Sequence, residues 1–204
     1  MKYTVTLFFI GIVFSFCNTY AAPDISPKLI KSLPDLPLGA VEELKKFENY
    51  PLATGILTTS HNKGDEVGYG VTSDEVEDAI REGIIPKGTR LPNSMSAKEA
   101  DTWLKQVTIP TYRSIVRKTV TVQLNLEEEA ALVFFTQNTG HRNLKNLVSR
   151  QDRLNDGNRS SVIRIMPLYY KDKTGKQPGL TKRGSFQVAL FKGVFKGGVF
   201  TRKT

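Results

Sequence analysis

Lys63-Gly64-Asp65-Glu66-Val67-Gly68-Tyr69-Gly70-Val71-Thr72 sets two adjacent carboxylates directly before a Gly-aromatic-Gly step. Around it, residues 52–72 interleave Thr, Ile, Leu, Val and Tyr with Asn62-Lys63-Gly64 and with Gly68 and Gly70. That texture predicts a small antiparallel hairpin or three-stranded sheet. On both sides the period is helical. Upstream, Val41, Leu44 and Phe47 share one face of a short amphipathic helix over residues 39–48, stopped at Asn49-Tyr50-Pro51 because proline disfavours helical geometry in the residue before it. The chain therefore reads as α+β: one helix, a small sheet, then mostly helices, with a cleft between the two lobes.

Downstream, three capping-box signatures mark helix starts. Thr72-Ser73-Asp74-Glu75 opens a helix to Glu82 closed by Gly83, and residues 83–95, with Pro86, Gly88 and Pro92, read as loop. Ser96-Ala97-Lys98-Glu99 opens a helix that Pro110 breaks or kinks before the pattern resumes through Tyr112, Ile115 and Val116. Asn125-Leu126-Glu127-Glu128 opens the most apolar segment, Ala130 to Phe135, which is apolar nearly all round and so predicts a buried central helix ending at Gly140. Further helices are expected over 144–154, 160–170 and 180–192.

The N-terminal 21 residues stand outside this pattern. Lys2 supplies a positive start, residues 5–16 are apolar apart from Thr6, Gly11 and Ser15, and Thr19-Tyr20-Ala21 offers small residues three before and one before a cut. This is the pattern of a secretory signal peptide, and about twelve apolar residues fall short of the roughly twenty that span a bilayer. Cleavage would leave about 183 residues, one domain, and would remove Cys17, the only cysteine of the chain. A proline-rich lead-in (22–36), a domain over 37–193 and a basic tail (194–204) complete the division. Loss of Lys2 lowers the formal charge from +9 to +8. A basic exported protein suits an anionic polymer, among them peptidoglycan, teichoic acids and lipopolysaccharide phosphates. Nucleic acid is disfavoured, because Lys and Arg are scattered and not blocked. His61 and His141 are far apart and carry no cysteine partner, so neither a zinc site nor a cofactor is expected.

Glu48 ends the first helix, where the helix dipole disfavours a negative charge, beside Phe47 and Tyr50. Such a setting raises a carboxyl pKa and suits a general acid near neutral pH. The run Leu44-Lys45-Lys46-Phe47-Glu48-Asn49-Tyr50, followed by Val67-Gly68-Tyr69-Gly70-Val71-Thr72, resembles the phage-type lysozymes (muramidases) of glycoside hydrolase family 24. Their first helix typically ends in Lys-Phe-Glu-Gly and their hairpin in Thr-Ile-Gly-Tyr-Gly-His-Thr. The likeness continues through the segments at 96–104 and 124–140, the Leu154-Asn155-Asp156-Gly157 turn and the segment at 178–183, covering about residues 37–192 in order.

The resemblance implies a lysozyme-like fold and hydrolysis of the β-1,4 link between N-acetylmuramic acid and N-acetylglucosamine, without cofactor and by a monomer acting on peptidoglycan. It places Glu48 at the general acid and Arg183, or else Lys182, as the basic residue paired with it. Tyr69, Gln137 and Asn138 fall where sugar contacts are expected. The sequence also departs from the pattern. Glu66 stands where the family has Thr, Ser60 where it has Asp, and Val71 where it has His. Glu66, with Asp65 next, is thus the candidate partner carboxylate. A glutamate at the Thr position would fill the space of a hydrolytic water and favour a retaining outcome. The alternative to an enzyme is a lysozyme-like protein that has lost these residues and binds glycan or a protein partner.

Overall fold

The computed structural model describes residues 26–48, 66–170 and 178–195, with backbone alone at 178–180. Two short elements come first: α1 (Pro27–Ser32) and α2 (Leu38–Phe47). After the 49–65 interval follow α3 (Ser73–Arg81), α4 (Ala97–Trp103), a π-turn (Leu104–Thr108) and α5 (Ile109–Thr119). The chain closes with α6 (Leu126–Thr139), α7 (His141–Val148), α8 (Arg159–Ile165) and α9 (Pro178–Phe191), with 3-10 turns at Leu154–Asp156 and Met166–Tyr170.

The expected α+β class is corrected here. Among the described residues there is no strand, only one antiparallel bridge between Val67 and Val71. Its two N–H···O bonds measure 3.0 and 2.8 Å. The reason is local. Gly68 and Gly70 adopt φ of 60° and 76°, reversing the chain within three residues, and Thr72 is already the N-cap of α3. No residue is left on that side to extend a ladder. The remainder of the anticipated sheet, including Ser60, His61 and Asp65, lies outside the described residues, so the class shown is mainly helical.

Helix α6 is the centre of the molecule. Residues 128–136 are all buried, and α9 packs along one side of it and α5 along another. A helix buried all round must neutralise its polar groups. Asn125 and Glu128 form the reciprocal cap, and Glu128 also pairs with Arg159 at 2.7 Å. Glu129 is held between Arg113 at 2.8 Å and Arg117 at 2.6 Å. Burial pushes the Glu129 carboxyl up, but its bonds to the two arginines prevail and hold it below the usual range.

Pro110 does not break the helical run, since α4, the π-turn and α5 follow one another without interruption. It lacks an N–H and would crowd the carbonyl four residues back, and the chain answers by widening into the π-turn, so that Pro110 occupies the first turn of α5. The described part of the lead-in, from Ser26 on, is docked: α1 buries Ile30 to 2 % exposure, packs on α5, and Arg113 donates to the Pro34 carbonyl at 2.7 Å. Gly140 caps α6 and starts α7, which therefore begins three residues earlier than the 144–154 expectation and ends at Val148. Leu154-Asn155-Asp156-Gly157 works as a staple. Leu154 is fully buried, while Asn155 accepts from the Thr121 N–H at 3.0 Å and donates to the Thr119 carbonyl at 2.9 Å, fixing the end of α5.

Candidate active site

Glu48 is the C-cap of α2, its backbone N–H reaching the carbonyls of Leu44 and Lys45 at 3.3 and 3.2 Å. The preceding side chain, Phe47, packs against Phe186 of α9, ring centroids 5.4 Å apart. That contact brings Arg183, one turn before Phe186, to the end of α2. Arg183 Nη2 lies 3.1 Å from Glu48 Oε1 and donates to the Phe47 carbonyl at 3.0 Å, and the guanidinium sits over the Phe47 ring at 5.8 Å. The pair is nearly enclosed, with side-chain exposures of 12 % for Arg183 and 17 % for Glu48. Lys182, the other candidate, is exposed.

Three influences act on the Glu48 carboxyl. Burial is the largest and raises its pKa; the Arg183 charge lowers it; the Glu66 charge raises it again. The balance is a raised pKa. Glu66, half-buried at the start of the bridged turn, thus lies within electrostatic reach of Glu48, whereas Asp65 falls outside the described residues.

Gly70 closes the other side. A β-carbon built there would stand 3.1 Å from Glu48 Oε2, at a φ of 76° that side chains rarely adopt. Glycine at this position therefore serves both the turn and the close approach of the carboxylate.

Tyr69 turns inward. It is 4 % exposed, and its hydroxyl donates to Asp101 Oδ1 of α4 at 2.8 Å. Lys45 of α2 reaches the same oxygen at 2.7 Å and Glu42 at 3.0 Å, and its ammonium lies 5.6 Å from the Tyr69 ring centre. Burial works against both charges, but the hydrogen bonds win, so Lys45 is held up and Asp101 down. Gln137, near the end of α6, donates to the Tyr69 carbonyl at 3.3 Å. Residues 68–70 are thereby tied to α2, α4 and α6 at once. Asn138, next on α6, is exposed.

Of the residues the sequence reading named, the structure pairs Arg183 with Glu48 at 3.1 Å and leaves Glu66 within electrostatic reach of that carboxyl. It gives Tyr69 and Gln137 contacts within the protein, as holders of the loop. Lys45 and Asp101 escaped that reading, although the Glu42-Lys45-Glu48 spacing of three places all three on one side of α2. Glu75 escaped it too. It was assigned to a capping box, but only the Thr72 half of that box forms, and the Glu75 carboxylate is buried. Among the described residues no group of three or more His, Cys, Asp or Glu is arranged to hold a metal ion, and no helix is long and apolar enough to cross a membrane.

Two solved structures share this arrangement of elements. The endolysin from Escherichia coli O157:H7 phage FAHEc1 aligns with a TM-score of 0.56 at 21 % identity, over 78 % of this chain and 93 % of its own. The muramidase domain of SpmX from Asticaccaulis excentricus aligns with a TM-score of 0.54 at 21 % identity, over 78 % of this chain and 98 % of its own. At such identity they show the fold alone. No curated protein matches the sequence significantly. The phage lysozyme family model, in contrast, matches residues 47–185, from the residue before Glu48 to just beyond Arg183. With well over half of its length matched, the chain belongs to the phage lysozyme family, and with it to the glycoside hydrolases that act on peptidoglycan.

Proposed function

We propose that this protein is an exported muramidase that cleaves the β-1,4 link between N-acetylmuramic acid and N-acetylglucosamine, with Glu48 as general acid and Glu66 as the partner carboxylate. The observation that carries this reading is the nearly enclosed Glu48–Arg183 pair facing Gly70, with the Glu66 charge within reach. A buried carboxyl with a raised pKa keeps its proton toward neutral pH and can deliver it to the leaving glycosidic oxygen. A second carboxylate is required to support the oxocarbenium-like centre from the opposite face of the sugar. Asp65 is the alternative to Glu66 for that role. The signal-like segment at 1–21 and the positive charge of the remainder fit delivery to an anionic cell wall.

The test is digestion of purified sacculi by the protein lacking residues 1–21. Release of disaccharide-peptides ending in reducing muramic acid is expected, and Glu66→Gln should lower the rate about a hundredfold or more while leaving sedimentation with sacculi intact. Sedimentation without release by the unmutated protein would leave only a binding role. Proton NMR of the first product then reads the stereochemistry. Retention is expected if Glu66 attacks the anomeric carbon, and clean inversion would exclude that attack.

Gly70→Ala probes the same geometry from the backbone. The new methyl must displace the Glu48 carboxylate or the turn, so kcat should fall about tenfold to a hundredfold. The unfavourable φ should add about 1–2 kcal/mol of destabilisation. Denaturant titration alongside initial rates separates the two effects; an unchanged kcat would mean that the carboxylate has room to move.

A further inference from the structure

Glu75 has no part in the mechanism above, yet it is 2 % exposed, a rare placement for a carboxylate. One of its oxygens, Oε1, accepts two hydrogen bonds: from the Thr108 hydroxyl at 2.6 Å and from the Trp103 indole N–H at 3.1 Å. These donors bracket the π-turn. Trp103 is the residue before it and Thr108 its last residue. On one side of the turn, α4 carries Asp101, which holds the Tyr69 hydroxyl. On the other, α5 packs on α6. The π-turn therefore joins the helix that holds Tyr69 to the helix that packs on the centre, and single-turn π segments of this kind are rare and frequently found at functional sites.

We propose that Glu75 is a positioning residue for the active site: by clasping both ends of the π-turn it aims α4, and through Asp101 and Tyr69 it holds Gly70 against the Glu48 carboxylate. This rests on the reading of Glu48 as the acid. A carboxylate suits the task because a single acceptor oxygen with several lone-pair directions can take two donors that arrive from different turns of the helix. Hydrogen bonds to a carboxylate are also stronger than those to a neutral acceptor. The same two donors left without Glu75 would be unsatisfied at the turn, which would then relax toward another geometry.

The experiment compares the unmutated protein with Glu75→Gln, Glu75→Leu and Thr108→Val by three readouts. Trp103 is the only tryptophan of the chain, so its fluorescence reports the clasp directly. Glu75→Leu should shift the emission, and Glu75→Gln, which keeps an acceptor oxygen, should restore it. Hydrogen exchange at the Val67 and Val71 amides reports the loop. Exchange should quicken about tenfold in Glu75→Leu and less in Thr108→Val, with the α6 amides unchanged. In sacculus digestion, kcat should fall about tenfold at nearly constant KM in Glu75→Leu and recover in Glu75→Gln. Unchanged exchange at the bridge, or exchange that rises equally in α6, would overturn the proposal, as would failure of Glu75→Gln to rescue it. Thr108→Val supplies the test if Glu75→Leu does not fold. The fluorescence and exchange readouts do not need an active enzyme, so absence of hydrolysis by the unmutated protein would count against the assignment of Glu48 alone.

Discussion

Glu48→Gln should abolish muropeptide release, lowering kcat about 10²–10⁴-fold, while the protein still sediments with sacculi. Glutamine keeps the shape and an acceptor for Arg183 but has no proton to give the leaving group. The pH dependence follows from the same carboxyl. The acid must be protonated, so activity should fall as pH rises through its raised pKa, placing the alkaline limb above the usual carboxylate range. Arg183→Met removes the influence that lowers this pKa and leaves burial in place, so the alkaline limb should move to still higher pH. A limb that stayed in place would show that the titrating group lies elsewhere.

Stability should fall with rising pH as activity does, through the same carboxyl. The Glu48 pKa is raised in the folded state, so the native protein binds this proton more tightly than the unfolded chain does. The stabilisation is fully present below the unfolded pKa and is lost as pH rises through the folded one. Glu75, pushed up to about 7 by burial against the hydrogen bonds from Thr108 and Trp103 and further raised by Glu48, adds a second loss of the same sign. Melting profiles should therefore show the wild type and Glu48→Gln nearly alike at pH 4 and the variant more stable at pH 8. An active site that is less stable than its own inactive variant is the expected cost of keeping an acid enclosed.

Much of this was legible because short-range chemistry decided it. Ser96–Glu99 and Asn125–Glu128 cap their helices reciprocally, as their spacing of three requires. Glu48 was legible as well, since the amphipathic period of the sequence runs out there, and the structure makes it the C-cap of α2. What escaped depended on residues distant in sequence. Thr72-x-x-Glu75 has the same spacing as the other boxes, but Trp103 and Thr108, 28 and 33 residues away, draw the Glu75 carboxylate inward. Tyr69 in the bridged turn read as a sugar contact; only the arrival of Asp101 shows its hydroxyl to be engaged within the protein. Over the described residues 66–72 the strand expectation failed for a local reason that the composition conceals: Val and Tyr favour strands, but two glycines at positive φ and an immediate helix cap leave room there for a single bridge.

Phe186→Ala should be the most destabilising single truncation near the site, costing about 3–5 kcal/mol. The ring is fully buried and lies 5.4 Å from Phe47, 6.3 Å from Phe134 and 5.1 Å from Phe195, so it joins the end of α2, the central helix and the C-terminal segment. Its removal leaves a void that α6 and α9 cannot close without breaking their mutual packing. For a domain of this size the loss corresponds to a fall in Tm of about 6–20 °C. The effect should also reach the chemistry. Phe47 would lose the surface that holds it, and both its neighbour Glu48 and its guanidinium partner Arg183 are placed through that contact. Residual activity measured well below the new Tm should therefore fall as well, more than in Leu190→Ala, where a fully buried side chain is removed without a ring contact to Phe47. Phe186→Leu should recover most of the stability but less of the activity, because leucine fills volume without presenting a flat face to Phe47. A Tm within about 3 °C of wild type for Phe186→Ala would mean that α2 is held to α9 by the Arg183 contacts alone.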